Sequence, residues 1–376
     1  MQIPALPSVE CAILHEQFEP IDGTLIFEAI KKIAAELNFA PEVQLMVTST
    51  QKDIHVHAGG HRILVSQNDV PLELDGFQSA LSTPYTKIVL PDAQEIVQRH
   101  KANTFVTIGK GVLGGVPDEY FEKLGMQPEA FTTQDEAQRA IEFCDQLTRL
   151  ILQHHSASAV HWCLSDNLVP QSFFEAVSSS GDLTLLNIRP FLTSSAGQMG
   201  EGLPLGMIAT GSQWLVGKMI EVEEAPVPFP WMLEMVLAFI KVCQVRGSII
   251  PNNESFSIEG EDWTVGVYHE RIEGHDTLEK VRLVVVNAPK FGIQSDVSAK
   301  RTINYDSVED LRRHAEDEQR ELSASEAPRP ARKGYDISEL RAFAKRSAAD
   351  NAAGQAGKEK SKGLFARAKG LIRKDH

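Results

Sequence analysis

Cysteine is scarce in this chain and dispersed. The four residues Cys11, Cys144, Cys163 and Cys243 never stand at a C-x-x-C spacing, which argues against a zinc ribbon or a disulfide scaffold and fits buried thiols in a reducing compartment. Long apolar runs are lacking as well. The longest, Trp231–Arg246, contains Glu234 and Lys241 and falls short of the roughly 20 residues a bilayer requires. It reads instead as a core helix, entered through Pro226, Pro228 and Pro230 and ended by Gly247. The opening MQIPALPSVECAIL has no basic stretch leading into an apolar one and a small-residue cleavage site, so a cytoplasmic chain is expected.

Catalytic strings are also missing. No G-x-S-x-G, H-E-x-x-H or G-x-x-x-x-G-K-[ST] occurs, and Ser165-Asp166-Asn167, which copies the S-D-N of β-lactamase-like enzymes, has no K-T-G to accompany it. Gly109-Lys-Gly111-Val-Leu-Gly114 matches G-x-G-x-x-G after a β-branched run. Gly115, Val116 and Pro117 then interrupt the long helix a dinucleotide site needs, so a Gly-rich loop is the default reading.

What is present is a chain able to bury a substantial core: 376 residues, 42% hydrophobic and 23% charged. That length favours two domains, or one duplicated domain with a tail. The charge is unevenly spread. After Ala327 there are 13 Lys+Arg and five Asp+Glu, so the tail carries +8 and the body −22 of the net −14. An acidic body repels phosphate backbones, which makes nucleic acid an unfavoured partner.

Hydrophobic periodicity predicts α+β architecture with mixed sheets and helices. A strand at Cys11–Phe18, a helix at Gly23–Leu37, a hairpin of Val43–Val56 and His61–Val65 turning at Gly59-Gly60, a helix at Asp92–His100 and a strand at Thr104–Ile108 follow a β-α-β-β-α-β order. That order points to a split, ferredoxin-like unit. A second such unit would run from helix Gln134–His154 through strands near Ala159–Leu164 and Leu183–Ile188, with helix Gln171–Val177 between them. A hairpin over Met207–Val222, the helix at Trp231, and strands Trp263–His269 and Val281–Val286 would complete it. The expected division is thus 1–127, 128–290 and a charged, flexible tail over 291–376. Within the tail, Leu364, Phe365, Ala368, Leu371 and Ile372 fall on one helical face, with Lys362, Arg367, Lys369, Arg373 and Lys374 around it. Such a helix suits a groove on a partner, the acidic body itself or an anionic membrane.

Two clusters bear on chemistry. His55, His57 and His61 with Asp53 invite a metal, but the set is incomplete, and alternation leaves these histidines on the wet face of a half-buried hairpin; no metal and no cofactor are expected. His161 and Cys163 share a face if both lie on a strand, where about 7 Å would separate them, too far for proton transfer.

Three stretches together resemble a known family: Ala159-Val-His161-Trp162 leading to Leu168–Phe174, Leu186-Asn187-Ile188-Arg189-Pro-Phe191, and Thr210-Gly211 through Gly217 to Glu221-Val222. They are similar to the bacterial proteins carrying domain of unknown function 4261, which pass from an H-W strand through a basic residue to a T-x-G hairpin closed by an acidic residue. The likeness spans roughly residues 108–265 and departs from the family at Ser212-Gln213-Trp214, where Gly-Leu is common. It implies an α+β domain without an assigned reaction, and an interaction role in bacterial secretion or toxin-immunity settings. The expectation is therefore a non-enzymatic adaptor that binds a protein partner. The alternatives are a hydrolase or metal-dependent enzyme assembled from His100, His161 and Asp166, and an inhibitor whose acidic surface masks a basic toxin.

Overall fold

The computed structural model describes residues 1–39, 43–46, 48–111, 129–194, 203–258, 261–271 and 279–294. The amphipathic tail residues Leu364, Phe365, Arg367, Lys369, Leu371, Ile372, Arg373 and Lys374 lie outside that set, as does residue 127, where the first division was expected.

Helices and sheets coexist as the α+β class requires, in two compact units that divide at Arg189 and Pro190. In the first unit seven strands form one sheet, in the order Val43–Leu45, Asp53–Ala58, His61–Asn68, Ala102–Lys110, Ser8–His15, Ala159–Trp162 and Asn167–Val169. Every pairing in it is antiparallel. Gly59 and Gly60, at φ +55° and +80°, close the Asp53–Asn68 hairpin with the twist two-residue turns prefer. Gly23–Glu36 and Gln134–His154 pack on one face, burying Ile26, Ile30 and Ile33 of the first and Ile141, Cys144, Leu147 and Ile151 of the second. Beneath them lie Val9, Cys11, Ile13, Val56, Ile63, Val106 and Ile108, all sealed from solvent. On the other face Phe77, Ala80, Leu90, Ile96 and Val97, from short helices over residues 74–99, gather with Leu14, Ala159 and Leu168.

This sheet departs from the ferredoxin-like expectation. A split β-α-β unit sets its third strand between the first two, whereas here Ser8–His15 sits between Ala102–Lys110 and Ala159–Trp162 and is far from Asp53–Ala58. The division also falls later than expected. Gln134–His154 has its apolar stripe against the first sheet, and Ala159–Trp162 hydrogen-bonds to Ser8–His15, so both belong to the first unit.

The second unit has six strands, ordered Arg189–Thr193, Leu205–Thr210, Met219–Ala225, Glu279–Asn287, Thr264–Arg271 and Glu254–Phe256. Met219–Ala225 and Glu279–Asn287 run parallel, which makes this sheet mixed. The helix Phe229–Arg246 buries Met232, Met235, Val236, Phe239, Ile240, Val242 and Cys243, and Gly247 ends it at φ +69°. Phe239 meets Phe256 edge-on at 5.4 Å. Among the described residues no helix is long and apolar enough to cross a membrane.

One expected strand is a helix. Thr184–Asn187 forms a single turn after Asp182, whose carboxylate accepts from the Thr184 amide at 3.1 Å. The short stretch Leu183-Thr-Leu-Leu186 carries no period long enough to separate the two outcomes.

Candidate functional site

Strand Ala159–Trp162 ends abruptly. The Cys163 amide still donates to the carbonyl of Glu10, but the chain then turns, Asp166 N to Cys163 O at 3.1 Å, with Asp166 in the left-handed region at φ +57°. Asp and Asn tolerate that conformation better than other side-chain-bearing residues. The turn returns the Asp166 carboxylate to the ring of His161, and Nε2 donates to Oδ1 at 2.8 Å. With Nε2 protonated, Nδ1 is left as the acceptor, and the Cys163 Sγ lies 3.8 Å from it. The strand spacing expected for His161 and Cys163 does not apply, because Cys163 has already left the strand.

Arg189 completes the arrangement. Its Nη2 is 3.2 Å from Asp166 Oδ2, and its guanidinium also donates to Ser79, at 2.9 Å to the carbonyl and 3.1 Å to the hydroxyl. Burial pushes the Asp166 carboxyl up, but hydrogen bonds from His161 and Ser79 and the Arg189 charge outweigh it and hold the group below the usual carboxylate range. Burial drives the Cys163 thiol well above its ordinary value, and the charges at Glu10 and Asp166 add to that. A Cys-His-Asp sequence of contacts is present, but the sulfur is held as thiol, whereas a nucleophile must reach the thiolate.

The residues quoted for the family resemblance separate into two sets. His161, Trp162 and Arg189 are knitted together: Trp162 Nε1 donates to Asn187 Oδ1 at 2.9 Å, and Asn167 Nδ2 donates to the Leu186 and Ile188 carbonyls at 2.9 and 2.7 Å. Thr210, Gly211, Gly217 and Glu221 lie in the second unit. Gly211 and Gly217, at φ +95° and +80°, bracket the short helix Ser212–Val216. Glu221 pairs with Lys280 at 2.8 Å in a charged ladder that continues through Glu270 to Arg282 and Glu223.

Of the three residues considered for an enzyme, His100 does not join His161 and Asp166. It accepts from the Leu72 amide at 2.8 Å, and the Phe77 ring stands beside both imidazoles, 6.0 Å from His100 and 5.1 Å from His161. The histidine cluster of the hairpin is divided too. His55 and His57 face one way, while His61 turns to the opposite face and packs against Phe39 at 4.2 Å and Phe131 at 5.8 Å. Among the described residues no group of three His, Cys, Asp or Glu side chains could hold a metal. Of the Gly-rich stretch, Gly109 is buried and Gly111 adopts φ +79°, while residues 112–114 lie outside the described set.

Sequence reasoning missed a cavity of about 350 Å³ in the first unit, lined by His15, Glu16, Gln17, Glu19 and residues 155–158. His15 Nε2 meets the Thr104 hydroxyl at 3.1 Å and Nδ1 the Ser156 carbonyl at 3.3 Å, and burial lowers its pKa. His155 approaches Glu19 at 3.4 Å and sets its ring edge-on to that of His15 at 6.3 Å. The signal available was the run Glu16-Gln17-Phe18-Glu19 directly after the strand that ends at His15, three of its four residues favouring water.

Family models, curated proteins and solved structures yield no match to this chain.

Proposed function

We propose that this chain is a cytoplasmic adaptor, related to the proteins carrying domain of unknown function 4261, whose acidic body receives a basic amphipathic helix. The observation that carries the proposal is the concave site of about 350 Å³ edged by Glu16 and Glu19, on a body whose formal charge is −22 against +8 in the last 49 residues. Among the described residues Glu16 is held only by Arg99 at 3.9 Å, with both side chains well exposed, so its charge is offered to solvent. The spacing of Leu364, Phe365, Leu371 and Ile372 with Arg367, Lys369, Arg373 and Lys374 among them in the sequence is that of a basic amphipathic helix, which would match such a site in charge. Docking of the chain's own tail keeps the site closed until a partner with a stronger basic helix displaces it.

The test uses the full chain with a fluorophore near His376. Anisotropy should be high at low salt and fall toward 1 M salt, where the Debye length shortens to about 3 Å. Glu16→Gln with Glu19→Gln should release the label at low salt, and so should a synthetic peptide of residues 358–376. A label as mobile in the parent chain as in the double variant would overturn the reading.

A further inference from the structure

Lys31, Lys52, Arg99, Lys110 and Arg189 of the first unit each lie 2.8–3.9 Å from a carboxylate. Arg62 has no such partner among the described residues and, unlike Lys87, Lys101 and Arg139, which are likewise without an ion pair but exposed, it is half-buried. Its environment is not that of a solvated surface cation. Arg62 is half-buried on strand His61–Asn68, directly opposite His57 of strand Asp53–Ala58. Its Nη2 reaches His55 Nδ1 at 3.4 Å, and its Nε and the Nε2 of His57 are both buried without a hydrogen-bond partner. Burial lowers the pKa of Arg62, and burial with the Arg62 charge lowers that of His55. These are the signs of a cation withdrawn from water with no anion set against it.

The neighbouring acid does not serve as that anion. Asp53 lies two residues from His55 on the same face, but its carboxylate is engaged by the Ser66 and Thr50 hydroxyls. In a chain with 51 acidic and 37 basic residues, a guanidinium between two imidazoles on paired, hydrogen-bonded strands is a local reversal of sign. Strand pairing also fixes the three side chains relative to one another before anything binds, which removes ordering cost from association.

We propose that Arg62, His55 and His57 form an oxyanion site that takes the phosphate group of a small phosphorylated ligand. A guanidinium edge and two rings from two strands present donors in several directions, which suits the tetrahedral oxygens of phosphate better than the planar pair of a carboxylate. His57 Nε2 and Arg62 Nε then find acceptors in the bound anion.

The probe is inorganic phosphate, with acetate as the carboxylate comparison, added to the full chain labelled with ¹⁵N-arginine. The Arg62 Nε–H signal, assigned by its loss in Arg62→Gln, should shift saturably with phosphate in the millimolar range and respond little to acetate. Arg62→Lys retains the charge and loses the fork; read by calorimetric titration with phosphate alongside the parent chain, because the Arg62 signal is gone, it should weaken phosphate binding about tenfold or more. His57→Gln should weaken it severalfold while Arg62 still reports. Melting curves of each variant without phosphate establish that it is folded. No saturable shift, an equal response to acetate, or unchanged affinity in folded Arg62→Lys would each overturn the proposal.

Discussion

His161 and Asp166 are joined across five residues of chain, Nε2 to Oδ1 at 2.8 Å, because Asp166 occupies a left-handed turn that returns its carboxylate to the strand it has just left. The same carboxylate neutralises Arg189, which is 6% exposed. The pair therefore ties the end of one strand to the segment that follows Thr184–Asn187, and its removal strands a buried guanidinium.

Asp166→Asn tests that role without disturbing the backbone, since asparagine also tolerates a positive φ. The variant should lose about 3 kcal/mol at neutral pH, in the range for a buried pair deprived of one partner. The folded carboxyl lies below its ordinary value, so its contribution is complete above the unfolded pKa near 4 and is lost as pH falls through the folded one. Urea unfolding should show the two chains converging in acid. A deficit that persists undiminished in acid would mean that the loss comes from packing and not from charge.

The thiols supply a second expectation. Cys11 and Cys243 are pushed up to about 12 by burial, and Cys144 and Cys163 are raised by the same cause. Because only the thiolate attacks, the native chain should react with Ellman's reagent far more slowly than the urea-unfolded chain, in which all four react. His161→Ala should leave the rate at Cys163 unchanged, since burial keeps the sulfur a thiol, whose Sγ donates to the His161 carbonyl at 3.7 Å. A fast-reacting thiol lost in Cys163→Ala and slowed in His161→Ala would restore the enzyme reading.

The legible parts of the fold were those fixed by short-range pattern. Gln134–His154 announces itself through an apolar stripe at Ile141, Cys144, Leu147 and Ile151 and through Thr133, which accepts from the Glu136 amide as its cap. Gly59-Gly60 sets its hairpin for similarly local reasons. The position of Ser8–His15 between Ala102–Lys110 and Ala159–Trp162 depends on partners about 90 to 150 residues away, which periodicity does not encode, and the ferredoxin-like expectation failed there. His61 was misread with His55 and His57 because alternation was carried through a hairpin in which His61 opposes Ala58, a core-facing position. The sequence presents His161, Trp162 and Arg189 as family-like strings and offers His161 and Asp166 together with His100 as a candidate set, but the Asp166–Arg189 contact depends on a left-handed turn that no spacing encodes.

Asp145 carries the last prediction. It sits on Gln134–His154, 5% exposed, with Oδ1 buried and lacking a hydrogen-bond partner. Burial raises its carboxyl to about 6, with the Ser178 hydroxyl and the Arg149 charge pulling it back and Glu142 adding to the rise. For an acid whose folded pKa exceeds its unfolded value, the charged form is the penalised one. Stability is then greatest where Asp145 is protonated, falls as pH rises from about 4 to about 6, and stays lower above. Asp145→Asn preserves the shape and removes the charge, so it should stabilise the chain by about 3 kcal/mol at pH 7 or above and by little below pH 4. Unfolding by urea at several pH values reads the difference directly. A variant that is destabilised at neutral pH, or whose gain is the same in acid, would show that the carboxylate is satisfied in the fold and that its burial is not the source of the shift.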